Sequence, residues 1–212
     1  MTEPHDVLKA EFAAEARTIS AIPPDTTAEI AVAGRSNVGK SSLLNFIVQR
    51  NGLARTSKTP GCTRGLIFYD VRLRSGEQLR FVDLPGYGFA DRSRDERRSW
   101  GPLIEHYLVG RRTLACVAVL VDGRRGVQDE EVDLIEYLRV GGVPYVVVLT
   151  KVDKVPTGDL RAMVSSIEKA HATTVIATST VRRLGREPLL RALLARATKL
   201  RDGDAPADDS TG

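Results

Sequence analysis

The chain has 212 residues, of which 42% are hydrophobic and 27% charged, and its formal net charge is +4. This length and balance predict one globular domain and exclude a fibrous, a disulfide-rich and a wholly disordered protein. The longest apolar run, residues 114–121, is too short to span a bilayer, and the first residues carry no secretory signal, so we expect a cytoplasmic monomer with no membrane partner. The cysteines, Cys62 and Cys116, indicate neither a disulfide nor a zinc site.

Strands and helices are predicted to alternate along the chain. Short apolar runs predict six strands, at residues 30–33, 66–73, 79–84, 114–121, 145–149 and 174–177. Apolar residues three and four apart predict helices at residues 40–49, 94–109, 129–140, 158–170 and 187–200. Continuous apolar strands are typical of a parallel sheet with both faces covered, so the predicted fold class is α/β: a mostly parallel six-stranded sheet with helices on both faces. The short polar loop at 74–78 predicts a hairpin, and therefore one antiparallel edge strand.

The two ends of the chain differ from its middle. Residues 1–27 contain a weakly amphipathic stretch followed by two prolines, which predicts a short extension lying on the domain. Residues 28–201 form the predicted α/β domain, which carries the motifs described below. The acidic tail at 202–212 consists almost entirely of small and polar residues, so we expect it to be disordered.

Arginines cluster at three places, which permits contact with nucleic acid phosphates. Acidic residues are interleaved with the first cluster, at residues 91, 95 and 96, so an ordinary solvated helix face explains that pattern equally simply. Charge alone therefore leaves RNA binding open.

A glycine-rich segment follows the first predicted strand and opens the first helix. It fits G-x-x-x-x-G-K-[ST] in full, the pattern of a P-loop whose backbone N–H groups face phosphates. Lys40 is expected to bridge the β- and γ-phosphates of a nucleotide, and Ser41 to bind Mg²⁺ through its hydroxyl. The alternative is a chance glycine-rich turn. The residues are Gly34, Arg35, Ser36, Asn37, Val38, Gly39, Lys40 and Ser41.

A second motif, D-L-P-G, ends the third predicted strand about forty residues after the P-loop. Asp83 is expected to hold Mg²⁺, and Gly86 to offer its N–H to the γ-phosphate, with Leu84 and Pro85 between them. Taken alone, this tetrapeptide is also compatible with a plain turn after a strand.

The third motif, T-K-V-D, follows the strand at 145–149 and indicates selection of guanine. A carboxylate accepts hydrogen bonds only, which suits the adjacent N1–H and N2–H donors of guanine and leaves adenine mismatched. The stem of Lys151 would lie over the base, and the strand-ending loop at 177–179 would present backbone N–H groups to the guanine O6. The residues are Thr150, Lys151, Val152, Asp153, Ala177, Thr178 and Ser179.

With these motifs in order, the sequence resembles the TrmE-Era group of P-loop, Ras-like GTPases, and specifically the EngB (YihA/YsxC) family of bacterial ribosome-biogenesis GTP-binding proteins. The residues that carry the likeness are G-R-S-N-V-G-K-S at 34–41, S-K-T-P-G-C-T at 57–63 and D-L-P-G-Y-G-F-A at 83–90, with W-G at 100–101 and T-K-V-D at 150–153. The resemblance implies a switch in assembly of the large ribosomal subunit, needed for normal division and septation.

The resemblance also assigns a switch loop at 61–65. Thr63 is expected to join Ser41 as an Mg²⁺ ligand when GTP is bound, and the loop to relax after hydrolysis. Lys40, Thr63 and Gly86 are the expected catalytic residues. The sequence departs from the family where Cys62 and Arg64 replace a usual basic residue and a usual glutamine. The loop consists of Gly61, Cys62, Thr63, Arg64 and Gly65.

Tyr87 stands where Ras-like proteins carry the glutamine that orients the attacking water, so we expect slow hydrolysis. The resemblance suggests that K⁺ held partly by Asn37, or a ribosomal surface, accelerates it. Asn37 is equally compatible with a structural role in the loop. Two hypotheses remain open: a GTP-hydrolysing switch, and a guanine-nucleotide-dependent RNA or protein binding module. A third, an ATP-using enzyme, is disfavoured by T-K-V-D.

Overall fold

The structure is a computed structural model that describes residues 5–54, 65–86 and 94–203, with the backbone alone at 94–100 and 201–203. Strands and helices alternate along the described chain. The strands are β1 (Val7–Ala16), β2 (Glu29–Gly34), β3 (Leu66–Leu73), β4 (Gln78–Asp83), β5 (Leu114–Asp122), β6 (Tyr145–Thr150) and β7 (Val175–Ala177). The helices are α1 (Lys40–Ile47), α2 (Arg94–Gly110), α3 (Asp129–Val140), α4 (Thr157–His171) and α5 (Arg186–Gly203).

All seven strands join one sheet in the order β1-β3-β4-β2-β5-β6-β7. The strands β4, β2, β5, β6 and β7 pair in parallel, whereas β3 is antiparallel to both β4 and β1. The mostly parallel α/β sheet and the hairpin between β3 and β4 are therefore confirmed. The predicted count of six strands is wrong by one, and the edge of the sheet is β1 rather than the antiparallel strand β3.

The additional strand is the segment predicted to be an extension lying on the domain. β1 pairs with the full length of β3, from Val7 opposite Leu73 to Ala16 opposite Leu66. Two register shifts interrupt the ladder, so its side chains do not keep a strict alternation between the two faces. The irregular alternation, and the alanines and glutamates that are uncommon in strands, explain why the sequence pattern does not predict this strand. At the other end of the chain, α5 extends to Gly203, and residues 204–212 of the predicted tail lie outside the described residues.

Both faces of the sheet are buried by helices. On β5, Cys116, Ala118 and Leu120 pack with α1 and α5, whereas the alternate residues pack with α2, α3 and α4. Period-two alternation therefore sends apolar side chains into two separate cores, which is why this strand is apolar throughout. Among the described residues, no helix is both long and apolar enough to span a membrane.

A buried ionic cluster closes the end of the sheet where the parallel strands begin. Glu29, the first residue of β2, is fully buried and accepts hydrogen bonds from Arg111 at 2.6 and 2.9 Å and from Tyr107 at 3.0 Å. Arg80 lies 3.5 Å from Glu29 and pairs with Asp70 of β3 at 2.6 Å. These bonds attach the end of α2 to the sheet.

The opposite end of the sheet carries the sequence motifs. Five strands run in the same direction, so their carboxyl ends meet along one edge, which is where α/β sheets bind ligands. Gly34, Asp83, Asp122, Thr150 and Ala177 are the last residues of β2, β4, β5, β6 and β7. The fold therefore brings motifs that are far apart in sequence to a single edge.

Candidate nucleotide-binding site

The P-loop is a tight turn between β2 and α1. Two of its residues adopt the left-handed backbone conformation, Asn37 with φ 62° and Gly39 with φ 114°. Gly39 is the N-cap of α1, so the backbone N–H groups of the first helical turn open toward the loop. An anion bound there would face both these donors and the positive end of the helix dipole.

Lys40 points back into this loop. Its Nζ donates a hydrogen bond to the carbonyl oxygen of Gly34 at 3.1 Å, which holds the ammonium at the centre of the turn. Burial lowers the pKa of Lys40, and the nearby charge of Asp83 partly opposes that effect. Ser41 follows at the start of α1 and is half-buried.

Asp83 is the residue at this edge whose environment best suits a bound cation. It is 2% exposed, and among the buried polar atoms that the structure describes, its Oδ1 is one of three that lack a hydrogen-bond partner. Burial raises the pKa of Asp83 to about 6, although the charge of Lys40 lowers it. A buried carboxylate with an unsatisfied oxygen suits a hard cation such as Mg²⁺, so the residues present fit this ion.

The D-L-P-G segment lies directly against the P-loop. Leu84 donates its N–H to Val32 of β2 at 3.0 Å, and Leu84 and Pro85 are buried. A Cβ atom added to Gly86 would stand 2.6 Å from Ser36 Oγ and 3.0 Å from Lys40 Nζ. An added methyl group at Gly86 would therefore have to displace the Ser36 hydroxyl and would crowd the Lys40 ammonium, so the backbone of Gly86 lies close to the P-loop lysine.

One residue of the predicted switch loop is described. Gly65 precedes β3 and lies so close to the backbone of β1 that an added Cβ would stand 2.4 Å from the carbonyl oxygen of Ala16. The second residue of β3, Ile67, pairs with Asp83, so Gly65 lies near the edge of the sheet that carries Asp83. The other four residues of that loop lie outside the described residues, and so does Tyr87 after the D-L-P-G motif; the four are Gly61, Cys62, Thr63 and Arg64.

The T-K-V-D residues connect the predicted base-binding loop to the P-loop. The Thr150 hydroxyl donates to the carbonyl oxygen of Val38 at 2.8 Å, and Lys151 Nζ donates to that of Asn37 at 2.6 Å. Lys151 has φ 56°, which turns the chain so that a short 3-10 helix, Val152–Lys154, begins. Thr150, Lys151 and Asp153 line one pocket with Val38 and Gly39.

The loop after β7 supports Asp153 through a side chain. Ser179 Oγ donates to Asp153 Oδ1 at 2.6 Å, and this hydrogen bond holds the pKa of Asp153 below its usual value. The prediction that this loop presents amides to guanine O6 is wrong for two of its three residues. The N–H of Thr178 donates to Leu149 at 2.7 Å and that of Ser179 to Leu184 at 3.1 Å, so both donors are used within the fold.

Sequence reasoning missed two residues of this edge, Asp122 and Arg124. Asp122 ends β5 and accepts a hydrogen bond from Lys151, and Arg124 follows that strand and lines the same pocket as Lys151. The signal that could have found them was a carboxylate at the end of an apolar parallel strand, in the position that Asp83 occupies on β4.

Comparisons with known proteins agree with this geometry. Residues 29–151 match a family described as "50S ribosome-binding GTPase". A probable GTP-binding protein EngB from Rhodopseudomonas palustris (strain TIE-1) is 49% identical over 155 residues, which cover 73% of this chain and 71% of that protein. Another from Streptococcus pyogenes serotype M28 is 44% identical over 167 residues, which cover 77% and 82%.

Solved structures share the fold. Era, in a crystal structure with MgGDPNP and nucleotides 1506-1542 of 16S ribosomal RNA, aligns with a TM-score of 0.69 at 22% identity, over 80% of this chain and 56% of that one. A probable GTP-binding protein engB aligns with a TM-score of 0.62 at 21% identity, over 81% and 99%. These two likenesses concern the fold alone. The family match and the relatives of higher identity place this chain in the EngB family of GTP-binding proteins, and it is a P-loop GTPase.

Proposed function

We propose that the protein hydrolyses GTP slowly with Mg²⁺ and acts as a switch in assembly of the large ribosomal subunit, in the cytoplasm. The proposal rests on one observation: the fold brings Lys40, the orphaned carboxylate of Asp83 and the oriented carboxylate of Asp153 to a single edge. Each serves a different part of a magnesium–guanine nucleotide. Normal division and septation would then depend on the same activity, through ribosome supply.

Asp153 is the residue that recognises guanine. The hydrogen bond from Ser179 uses one of the roughly four lone-pair sites on the two Asp153 oxygens, so both oxygens can still accept, one from the N1–H and one from the N2–H of the base. Adenine presents an acceptor at N1, so the carboxylate would face it unpaired at a cost of roughly 1–3 kcal/mol. Lys151, held at its ammonium, offers its alkyl stem to the face of the base.

The P-loop and the D-L-P-G segment bind the phosphates. Lys40 and the N–H groups at the start of α1 bind the phosphate oxygens, and the backbone of Gly86 borders the terminal one. Ser41 and Asp83, with Thr63 of the switch loop, would hold the magnesium ion. When bound, Mg²⁺ neutralises the charge that develops on the phosphate oxygens during transfer.

The partner is proposed from the family and from charge. The matched family is described as binding the 50S ribosome, and the structurally similar Era was crystallised with a ribosomal RNA fragment. The chain carries 31 lysines and arginines against 27 acidic residues, a balance compatible with contact to RNA phosphates. A guanine-nucleotide-dependent binding module with incidental hydrolysis is the second candidate, favoured by Tyr87 in place of the water-orienting glutamine.

Nucleotide binding and turnover by the purified protein test the proposal. We expect GTP and GDP to bind with Mg²⁺ in preference to ATP, and Asp153→Asn to shift preference toward xanthine nucleotides. Hydrolysis should accelerate with large ribosomal subunits. ATP binding equal to GTP binding would refute guanine selection, and RNA binding that is identical with GDP and GTP would favour the binding module over the switch.

Potassium provides a second arm of the experiment. If K⁺ accelerates hydrolysis over Na⁺, then Asn37→Ser should remove the acceleration and retain GDP binding. Acceleration that survives in this variant would assign Asn37 a structural role in the loop.

A further inference from the structure

Asp122, the last residue of β5, binds two positively charged side chains, Lys151 and Arg124, at the edge of the proposed base pocket. Its Oδ2 accepts from Lys151 Nζ at 2.9 Å and from Arg124 Nη2 at 2.6 Å. Its Oδ1 accepts from the Nε of Arg124 at 2.9 Å and from the backbone N–H of Arg124 at 3.1 Å. Burial raises the pKa of Asp122, but the hydrogen bonds from Arg124 and Lys151 outweigh it and hold that pKa well below its usual range. The carboxylate is therefore charged and fully used throughout the physiological pH range.

Arg124 lies in the wall of the pocket, although it is not part of any of the GTPase motifs in the sequence. It lines the same pocket as Lys151 and Asp153, and its side chain is 51% exposed. The Arg124 guanidinium is fixed at two nitrogens by one carboxylate, so it cannot turn away without losing both bonds. Its remaining surface is a fixed, positively charged plane beside the base position.

The Asp122 carboxylate also holds the Lys151 side chain in place. A lysine side chain has about 2 kcal/mol of rotamer entropy to lose when it is immobilised. Contacts with Asp122 and with the carbonyl oxygen of Asn37 immobilise Lys151 before any ligand arrives. A nucleotide that stacks on its stem then meets a preformed surface, which strengthens binding without a new contact.

We propose that Asp122 is a positioning residue and Arg124 a binding residue for the nucleotide: Asp122 orients Lys151 and Arg124, and Arg124 forms a wall of the pocket against the nucleoside. This inference rests on the proposed function of the site. The competing explanation is that the Asp122–Arg124 pair only stabilises the turn after β5. Exposed ion pairs of this kind usually contribute little to stability.

The test measures affinity for GDP, GTP and IDP in Asp122→Asn and Arg124→Ala, with Arg125→Ala as the control. Arg125 is the adjacent residue, is exposed and does not line the pocket. We expect Asp122→Asn to weaken binding by about tenfold or more and Arg124→Ala by about three- to tenfold. The loss should be equal for the three nucleotides, because the wall touches the nucleoside rather than the γ-phosphate or the N2 amino group.

Steady-state hydrolysis separates positioning from a structural role. In Arg124→Ala the KM for GTP should rise by the same factor as the dissociation constant, with kcat within about twofold of wild type. Arg124→Lys should recover only part of the affinity, because a lysine retains the charge without the two-point attachment.

Unfolding midpoints without nucleotide complete the test. Arg124→Ala that unfolds earlier but binds GDP as wild type does would overturn the proposal and leave a structural pair. Unchanged affinity in both variants would overturn it as well. Wild-type protein that fails to bind GDP in the same assay would overturn the proposed function and this inference together.

Discussion

Replacement of Asp83 by asparagine should make the nucleotide-free protein more stable while it weakens magnesium-dependent binding. Burial raises the pKa of this carboxyl from 3.8 to about 6. Each pKa unit corresponds to about 1.4 kcal/mol, so ionised Asp83 costs about 3 kcal/mol of folding free energy at neutral pH. An asparagine avoids this cost but brings an NH₂ group that also needs partners, so we expect a net gain of about 1–3 kcal/mol.

The sign of the pH dependence follows from the raised pKa. Below pH 3.8 the carboxyl is protonated in both the native and the unfolded state, and ionisation costs nothing. Between pH 3.8 and about 6 the native state keeps a proton that the unfolded state has lost, so wild-type stability falls as pH rises. The advantage of Asp83→Asn should therefore be largest above pH 7 and fall below about 1 kcal/mol at pH 4.

Urea unfolding with EDTA and without nucleotide measures this difference at pH 4 and pH 7.5. Asp133→Asn is the matched control, because Asp133 is exposed on α3. In thermal unfolding at pH 7.5, a gain of 2 kcal/mol would raise Tm by about 4–8 °C in a chain of this size. An Asp83→Asn protein no more stable than wild type at pH 7.5, or an advantage that does not change with pH, would refute the reasoning. So would unweakened binding of GTP with Mg²⁺.

Three further predictions concern other parts of the molecule. Gly86→Ala should slow GTP hydrolysis by at least about tenfold, measured against Gly158→Ala, whose added methyl meets open space; equal rates would show that the P-loop does not need this close approach. Glu29→Gln should lower the free energy of urea unfolding by about 3 kcal/mol, because it leaves buried arginines without their carboxylate; a loss under about 1 kcal/mol would contradict this. Burial raises the pKa of Cys116 to about 12, so in a Cys62→Ser background a thiol reagent at pH 8 should label the protein only after unfolding; rapid labelling of the native protein would contradict this.

The sequence by itself determined the elements that repeat a strong local pattern. Helix α3 and strand β3 have the predicted bounds, because the apolar spacing of an amphipathic helix and the apolar run of a mostly buried strand are both visible within a few residues. The P-loop and the T-K-V-D motif were also readable, since the chemistry of phosphate and of guanine restricts which residues can serve at that spacing. These inferences required no knowledge of what packs against what.

Only the tertiary structure decided β1, the use of the amides after β7, and the contacts of Asp122 and Arg124. Strand β1 exists because β3 offers its backbone along its whole length, and local propensity in an alanine- and glutamate-rich segment does not indicate this. The N–H groups of Thr178 and Ser179 are used by neighbours 29 and 5 residues away, at Leu149 and Leu184. The bond from Thr178 joins segments that are distant in the sequence, so it depends on how the strands are ordered in the sheet, and that order is a property of the whole chain.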